Sequence, residues 1–271
     1  MTDGRTPLTI HDLRQRKSAG ERIVTLTCYD ALFARLLDES GVDVLLVGDS
    51  VNQVLAGEDT TLSATLAQMI YHTRSVRRGA TRALVVCDMP FLTYQVSREE
   101  AIRHCGRVLA ETGCQAVKLE GGRPVVETVR ALVDAGIPVM GHLGLTPQSV
   151  HALGGYRVQG REAAAADRLV SDAEALEAAG AFAVILELIP APLASRITKA
   201  VGIPTIGIGA GPACDGQVLV LHDMLGLNDR FDAKFIKRYA ALAQDVRDAV
   251  KLFSAEVREG RYPGAEHSFP A

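Results

Sequence analysis

No stretch of this sequence approaches 18 consecutive apolar residues, and its opening, MTDGRTPLTI, lacks the long apolar segment of a secretory signal. A membrane-spanning helix needs about 20 such residues, so no membrane role is expected. Basic residues form no block, and 29 Lys and Arg against 32 Asp and Glu leave a net charge of −3. That balance argues against nucleic acid or an anionic lipid surface as partner. The five cysteines (Cys28, Cys87, Cys105, Cys114, Cys214) are odd in number and include no C-x-x-C pair. They read as reduced thiols of a cytoplasmic protein, neither a disulfide framework nor a zinc site. No Ser/Gly-rich linker or charge block interrupts the chain, which reads as one domain over residues 1–271. GIGAG, Gly207 to Gly211, lacks the G-x-G-x-x-G spacing of a dinucleotide fingerprint and reads as a tight loop.

What the sequence does contain is a repeat of β-branched, apolar runs: RIVTLTCYD, VDVLLVGDS, ALVVCDMP, QAVKLEGG, IPVMGHLG, AFAVILELIP, IPTIGIGAG and GQVLVLHDM. Near-continuous apolar runs suit parallel strands covered on both faces. Amphipathic stretches follow most of them, among them ALFARLLDESG, SREEAIRHCGRVLAETG, RPVVETVRALVDAG and EAAAADRLVSDAEALEAAG, each closing on the Gly favoured just past a helix end. Eight such repeats predict an α/β protein of the (β/α)8 TIM-barrel class, with a doubly wound open sheet as the alternative. Extra helical segments are expected at both ends. The second covers residues 232–258, where Phe235, Tyr239, Leu242, Val246, Val250, Phe253 and Val257 recur at three- and four-residue steps. An apolar stripe of that length needs cover, from its own barrel or from a neighbouring subunit.

The polar residues concentrate at the C-terminal ends of the strand-like runs: Asp30, Asp49, Ser50, Asp88, Lys118, Glu120, His142, Glu187, His222 and Asp223. In a (β/α)8 barrel that end carries catalysis. Any one of these acids also suits a helix cap. Asp49, Asp88 and Glu120 end three neighbouring strands, and three like charges in one mouth repel unless a cation joins them. Mg2+ accepts a few carboxylates plus substrate oxygens, and without a Cys/His cluster zinc is disfavoured. Pairing with Lys118 and nearby arginines is the competing reading. Lys118, two residues before Glu120, faces the same side and suits a substrate carboxylate or a developing enolate. Glu187, a lone carboxylate among Ile185, Leu186, Leu188 and Ile189, suits a general base with a raised pKa, or a Glu bonded locally. His142 is expected to support its loop or bind a substrate oxygen, and His72 and His104 are expected to be structural. A divalent cation, an ammonium and an opposed carboxylate together describe proton abstraction beside the carbonyl of a small 2-oxo acid.

The strings VGDS, DTTLSATLAQMIYHTRSVRRGA, CDMPF, AVKLEGG, GHLGLTPQSVHALGGYRVQG, IGIGAG, DGQVLVLHDMLG and YPGAEHSF closely resemble, in order over nearly the whole chain, those of the ketopantoate hydroxymethyltransferase family. The resemblance implies the (β/α)8 barrel. It implies transfer of a one-carbon unit from 5,10-methylenetetrahydrofolate to 3-methyl-2-oxobutanoate, giving 2-dehydropantoate and tetrahydrofolate in pantothenate synthesis. It implies an Mg2+ site at Asp49, Asp88 and Glu120, oxo-acid contacts from Asp49, Ser50, Asp88 and Lys118, and Glu187 as proton acceptor. It also implies a homo-oligomer, commonly a decamer. Two places depart from the family's habit: Val51-Asn52, where Leu-Gly is common, and Leu92-Thr93, at a variable position; either bears on loop closure or folate affinity. Two rival readings of the sequence are a metal-dependent C–C or P–C lyase barrel, a class that typically uses a nucleophilic Cys loop with no equivalent in this sequence, and a non-catalytic ligand-binding or assembly barrel.

Overall fold

The structure, a computed structural model, describes residues 6–270. Helix α1 (Ile10–Ala19) precedes strand β1 (Ile23–Thr27). Then follow α2 (Ala31–Glu39), β2 (Val44–Val47), α3 (Val51–Val54), α4 (Leu66–Gly79), β3 (Leu84–Asp88), α5 (Arg98–Thr112) and β4 (Ala116–Glu120). The series continues with α6 (Val126–Asp134), β5 (Val139–Gly144), α7 (Ala163–Ala178), β6 (Ala183–Glu187), α8 (Ala191–Ala200), β7 (Thr205–Ile208) and β8 (Gly216–Leu219). The strands form one closed, all-parallel barrel in sequence order, as the eight apolar runs predict. The open-sheet alternative fails at the seam, where β1 pairs with β8 in the register Ile23↔Gly216 to Leu26↔Leu219. Closure there needs glycine, since a Cβ on Gly216 would lie 2.4 Å from the Ile23 carbonyl oxygen.

Local chemistry starts and stops the helices where the sequence places them. Asp30 caps α2 by accepting the Phe33 N–H at 2.9 Å, so its role is the structural one of the two open to it. Thr65 and Gln68 form a reciprocal capping box at α4, and Gly113 ends α5 at φ 71°. Strands β2, β3 and β4 are buried at every residue, because helices cover the outer face and side chains fill the interior. Helix α1 lies at the N-terminal ends of the strands. Its Lys17 ammonium donates to the carbonyls of Thr198, Val201 and Ile203 and pairs with Asp215 at 3.0 Å, and Arg16 pairs with Asp43 at 3.1 Å. The opposite, C-terminal ends remain for the site.

By compactness the chain divides after Val220, and a second unit begins at Leu221. It holds α9 (Leu221–Met224), which carries His222 and Asp223, and α10 (Leu242–Arg258). The expected helix over 232–258 is therefore shorter than its periodicity: Phe235 and Tyr239 lie in irregular backbone. The reason is where the amides go. The N–H groups of Tyr239, Leu242 and Ala243 donate to the carbonyls of Met224, Leu225 and Gly226, which takes this stretch out of the i−4 ladder of a helix. No residue of α10 is buried, and Val246, Val250, Phe253 and Val257 are each about half exposed. Among the described residues no helix is long and apolar enough to cross a membrane.

Candidate active site

Parallel pairing sets the site. Asp88 on β3 is in register with Lys118 on β4, and Glu120 on β4 with His142 on β5. Residues in register point to the same face, and Lys118 and Glu120, two apart, share it. The Lys118 ammonium lies 2.7 Å from both oxygens of Asp88 and 3.3 Å from Glu120 Oε1. His142 stands between two acids, with Nδ1 3.3 Å from Glu120 Oε1 and Nε2 3.2 Å from Glu187 Oε2. These are charge contacts off the ideal hydrogen-bond line, since neither ring nitrogen makes a well-aligned hydrogen bond. Asp49 follows the end of β2, and its backbone N–H reaches Asp88 Oδ2 at 3.4 Å. Glu187 ends β6 and keeps partial access to solvent.

The expectation of a lone Glu187 in apolar surroundings changes here. Ile185, Leu186, Leu188 and Ile189 are its chain neighbours, but the next strand supplies His142, a contact that sequence order cannot show. Two backbone features hold this strand end. Gly144 on β5, at φ 96°, is in register with Glu187, and a Cβ there would lie 2.1 Å from the Glu187 carbonyl oxygen. Leu188 takes φ 44°, rare for a residue with a side chain, and is held by hydrogen bonds to Ile208 and Gln159.

Asp49, Asp88, Lys118, Glu120 and His142 are all buried. Burial, then repulsion from Asp88 and Glu120, pushes the Asp49 carboxyl well above its ordinary range. Burial also raises Asp88, against the opposing pull of Lys118. Burial acts the same way on Glu120, but Lys118, His142 and the Gln148 amide outweigh it and hold this carboxyl at about 2. For His142, burial and the Lys118 charge disfavour the cation, yet Glu120 and Glu187 lift it to about 9. Burial works against charge on Lys118 too, and the three acids overcome it, raising its pKa. Three carboxyls of this buried cluster repel one another, and the raised Asp49 shows that Lys118 and His142 do not offset that repulsion fully. Pairing with Lys118 therefore neutralises the cluster only in part, and no arginine bonds to it among the described residues.

Ligand atoms of Asp49, Asp88 and Glu120 lie within 4.8 Å of one another. An all-oxygen donor set with excess negative charge fits a hard divalent cation such as Mg2+ and does not suit zinc. Ser50 sits at the same mouth, its Oγ 2.9 Å from the Tyr29 hydroxyl. Val51 and Asn52 open α3 directly behind it, and the Asn52 amide donates to Ser63 Oγ at 2.9 Å, tying the helix to the loop that follows. Leu92 takes φ 65° in the turn after β3, which Thr93 closes by donating to the Pro90 carbonyl. His72 and His104 each hold a backbone carbonyl, of Tyr29 and Thr93, in keeping with structural roles.

Sequence reasoning passed over Tyr94 and Gln148. Gln148 donates from its backbone to Glu120 Oε2 and from its side chain to Asp49 Oδ2, and Tyr94 bonds both Gln148 and the backbone of Glu120. The usable signal was position. Both lie in loops at the C-terminal barrel face, Tyr94 three residues past the string CDMPF and Gln148 within GHLGLTPQS.

A sequence profile of the ketopantoate hydroxymethyltransferase family matches residues 7–265. The 3-methyl-2-oxobutanoate hydroxymethyltransferase of Pelobacter propionicus is 55% identical over 99% of this chain and 100% of that protein. The Clostridium botulinum enzyme of the same name is 52% identical over 96% and 95%. Among solved structures, a phosphonopyruvate hydrolase complexed with oxalate and Mg++ superposes with a TM-score of 0.63 at 12% identity, covering 97% of this chain and 91% of that one. A 2,3-dimethylmalate lyase superposes at 0.61 and 18% identity, covering 97% and 93%. At that identity these two speak to the barrel fold alone. The profile spans nearly the whole sequence and the named relatives exceed half identity end to end: the chain belongs to the ketopantoate hydroxymethyltransferase family and is an enzyme of the transferase class.

Proposed function

We propose that this enzyme moves a hydroxymethyl unit from 5,10-methylenetetrahydrofolate to 3-methyl-2-oxobutanoate, giving 2-dehydropantoate and tetrahydrofolate. The observation that carries the reading is one constellation: three buried acids clustered together, two of them bonded to Lys118, with partly exposed Glu187 facing them across His142. Asp49, Asp88 and Glu120 would hold Mg2+. When bound, that ion supplies Lewis-acid polarisation to the substrate's 2-oxo group. Asp49, Ser50, Asp88 and Lys118 orient the oxo acid, and the Lys118 ammonium offsets negative charge as it develops on the oxo oxygen. Glu187 accepts the proton from C3, and His142, held between Glu120 and Glu187, keeps that carboxylate aimed. C3 then forms a carbon–carbon bond to the one-carbon unit, whose two bonds to folate nitrogens break. Water supplies the new hydroxyl group, and the C3 proton and the second water proton end on the two folate nitrogens, so that one water is consumed.

Burial of the thiols weighs against the lyase reading. All five cysteines are buried, and burial pushes Cys28 and Cys105 up to about 12, so neither supplies a thiolate nucleophile. The same free thiols support a reducing, cytoplasmic location, and the exposed stripe of α10 supports a homo-oligomer. The test is proton exchange. Wild-type protein with Mg2+ in D2O is expected to exchange the C3 proton of 3-methyl-2-oxobutanoate, and Glu187→Gln to lose about 10²- to 10⁴-fold of that rate while still binding the oxo acid. Wild-type exchange in the variant would move the base to another residue. No exchange in the wild type would sink the proposal.

A further inference from the structure

Lys118 contacts Asp88 and Glu120 but leaves Asp49 without a cation in hydrogen-bonding reach among the described residues. What holds Asp49 is an uncharged amide. Gln148 lies in the single 3₁₀ turn after β5 and is buried. Its backbone N–H donates to Glu120 Oε2 at 3.0 Å. Its side-chain NH2 donates to Asp49 Oδ2 and to the Met89 carbonyl, each at 2.9 Å. Its carbonyl oxygen accepts from the Tyr94 hydroxyl at 2.8 Å and faces Gln95 Nε2 at 3.4 Å. The Tyr94 hydroxyl in turn accepts the Glu120 N–H at 3.1 Å, and its single proton faces two acceptors, Gln148 at 2.8 Å and the Glu120 carbonyl at 3.2 Å, the shorter contact being to Gln148.

The amide orientation is thus determined. Turned over, its oxygen would face two acceptors, the Asp49 carboxylate and the Met89 carbonyl, and both bonds would be lost. Asp49 follows β2, Met89 follows β3, Glu120 ends β4 and Gln148 follows β5, so one residue ties four consecutive strand ends. It gives a donor to each of two acids that would otherwise repel. It also takes one oxygen of each, which restricts how the remaining oxygens present themselves.

We propose that Gln148, backed by Tyr94, is a positioning residue that sets the spacing and rotation of Asp49 and Glu120 as cation ligands. This rests on the reading of the acid cluster as a divalent-cation site. Groups that orient metal ligands typically change affinity about 10- to 100-fold when removed.

The experiment titrates the purified full-length chain with Mn2+ and follows free Mn2+ by electron paramagnetic resonance. Gln148→Met keeps the length of the side chain and removes both amide donors and the acceptor. It is expected to weaken Mn2+ binding about 10- to 100-fold with its circular dichroism retained. Tyr94→Phe removes one hydroxyl and is expected to weaken binding severalfold. The double variant is expected to match Gln148→Met closely, because the shortest contact of the Tyr94 hydroxyl is to the amide and its bonds to Glu120 reach only the backbone and not the carboxylate. A merely structural role would lower thermal stability in each variant and leave Mn2+ affinity unchanged. Affinity within twofold of wild type in folded Gln148→Met overturns the assignment. Additive losses in the double variant overturn the relay from Tyr94. Should Gln148→Met not fold, Tyr94→Phe carries the test, and unchanged affinity there overturns the assignment. A wild-type chain that binds no Mn2+ brings down the cation reading, and this one with it.

Discussion

Replacing Lys118 with Met isolates the electrostatics of the cluster. The substitution keeps an unbranched stem and deletes a charge that lies 2.7 Å from both Asp88 oxygens and 3.3 Å from Glu120. All three groups are buried, so solvent cannot replace the lost partner. Removing one member of a buried pair costs ~3–5 kcal/mol, because the remaining charge stays desolvated and unpaired. For a chain near this size each kcal/mol lowers the melting temperature by ~2–4 °C, so a fall of ~6–20 °C is expected at pH 7. Thermal unfolding followed by circular dichroism measures it. The pH dependence gives a second check. Glu120 is held at about 2 against an ordinary 4.5, a depressed value whose stabilisation is complete above 4.5 and lost as pH falls toward 2. The gap between wild type and variant is therefore expected to narrow through that window. Mg2+ is expected to raise the melting temperature of the variant, since a cation among the acids restores the missing charge. A variant melting within 2 °C of wild type at pH 7 would refute the argument.

Three further outcomes are expected. Because burial and like charges raise the Asp49 carboxyl, Mg2+ binding should release protons and weaken as pH falls; calorimetry in buffers of different ionisation heat checks this, and buffer-independent heats would count against it. Gly144→Ala should lower both stability and C3 exchange, because its Cβ meets the Glu187 carbonyl oxygen at 2.1 Å, whereas Gly113→Ala, with φ 71° and open space, should lower stability and leave exchange intact. Phe253→Glu, at an exposed position on α10, should reduce the mass seen by light scattering while circular dichroism stays unchanged; an unaltered mass would remove α10 from any subunit contact.

Local sequence was enough for the eight βα repeats, whereas their closure into a barrel was decided by the pairing of β1 with β8. Strand runs, helix faces and caps such as Asp30 and Thr65 are written in contiguous residues, since hydrophobic period and capping act over one or two turns. The concentration of Asp49, Asp88, Lys118, Glu120, His142 and Glu187 at strand ends was legible for the same reason, because alternation along a strand sets which residues share a face. The helix expected over 232–258 shows the limit: a continuous apolar period said nothing of the amides of Tyr239 and Leu242 bonding to Met224 and Leu225. Only the tertiary structure decided which charges meet. His142 reaches Glu187 because β5 lies beside β6, and Gln148 reaches Asp49 across 99 residues because loops after β2 and β5 converge at one barrel mouth. Such contacts depend on register between separate strands, which no single segment encodes. That is why the charged groups could be named from the sequence, while the neutral amide and hydroxyl beside them were marked only by their place in loops at the barrel mouth.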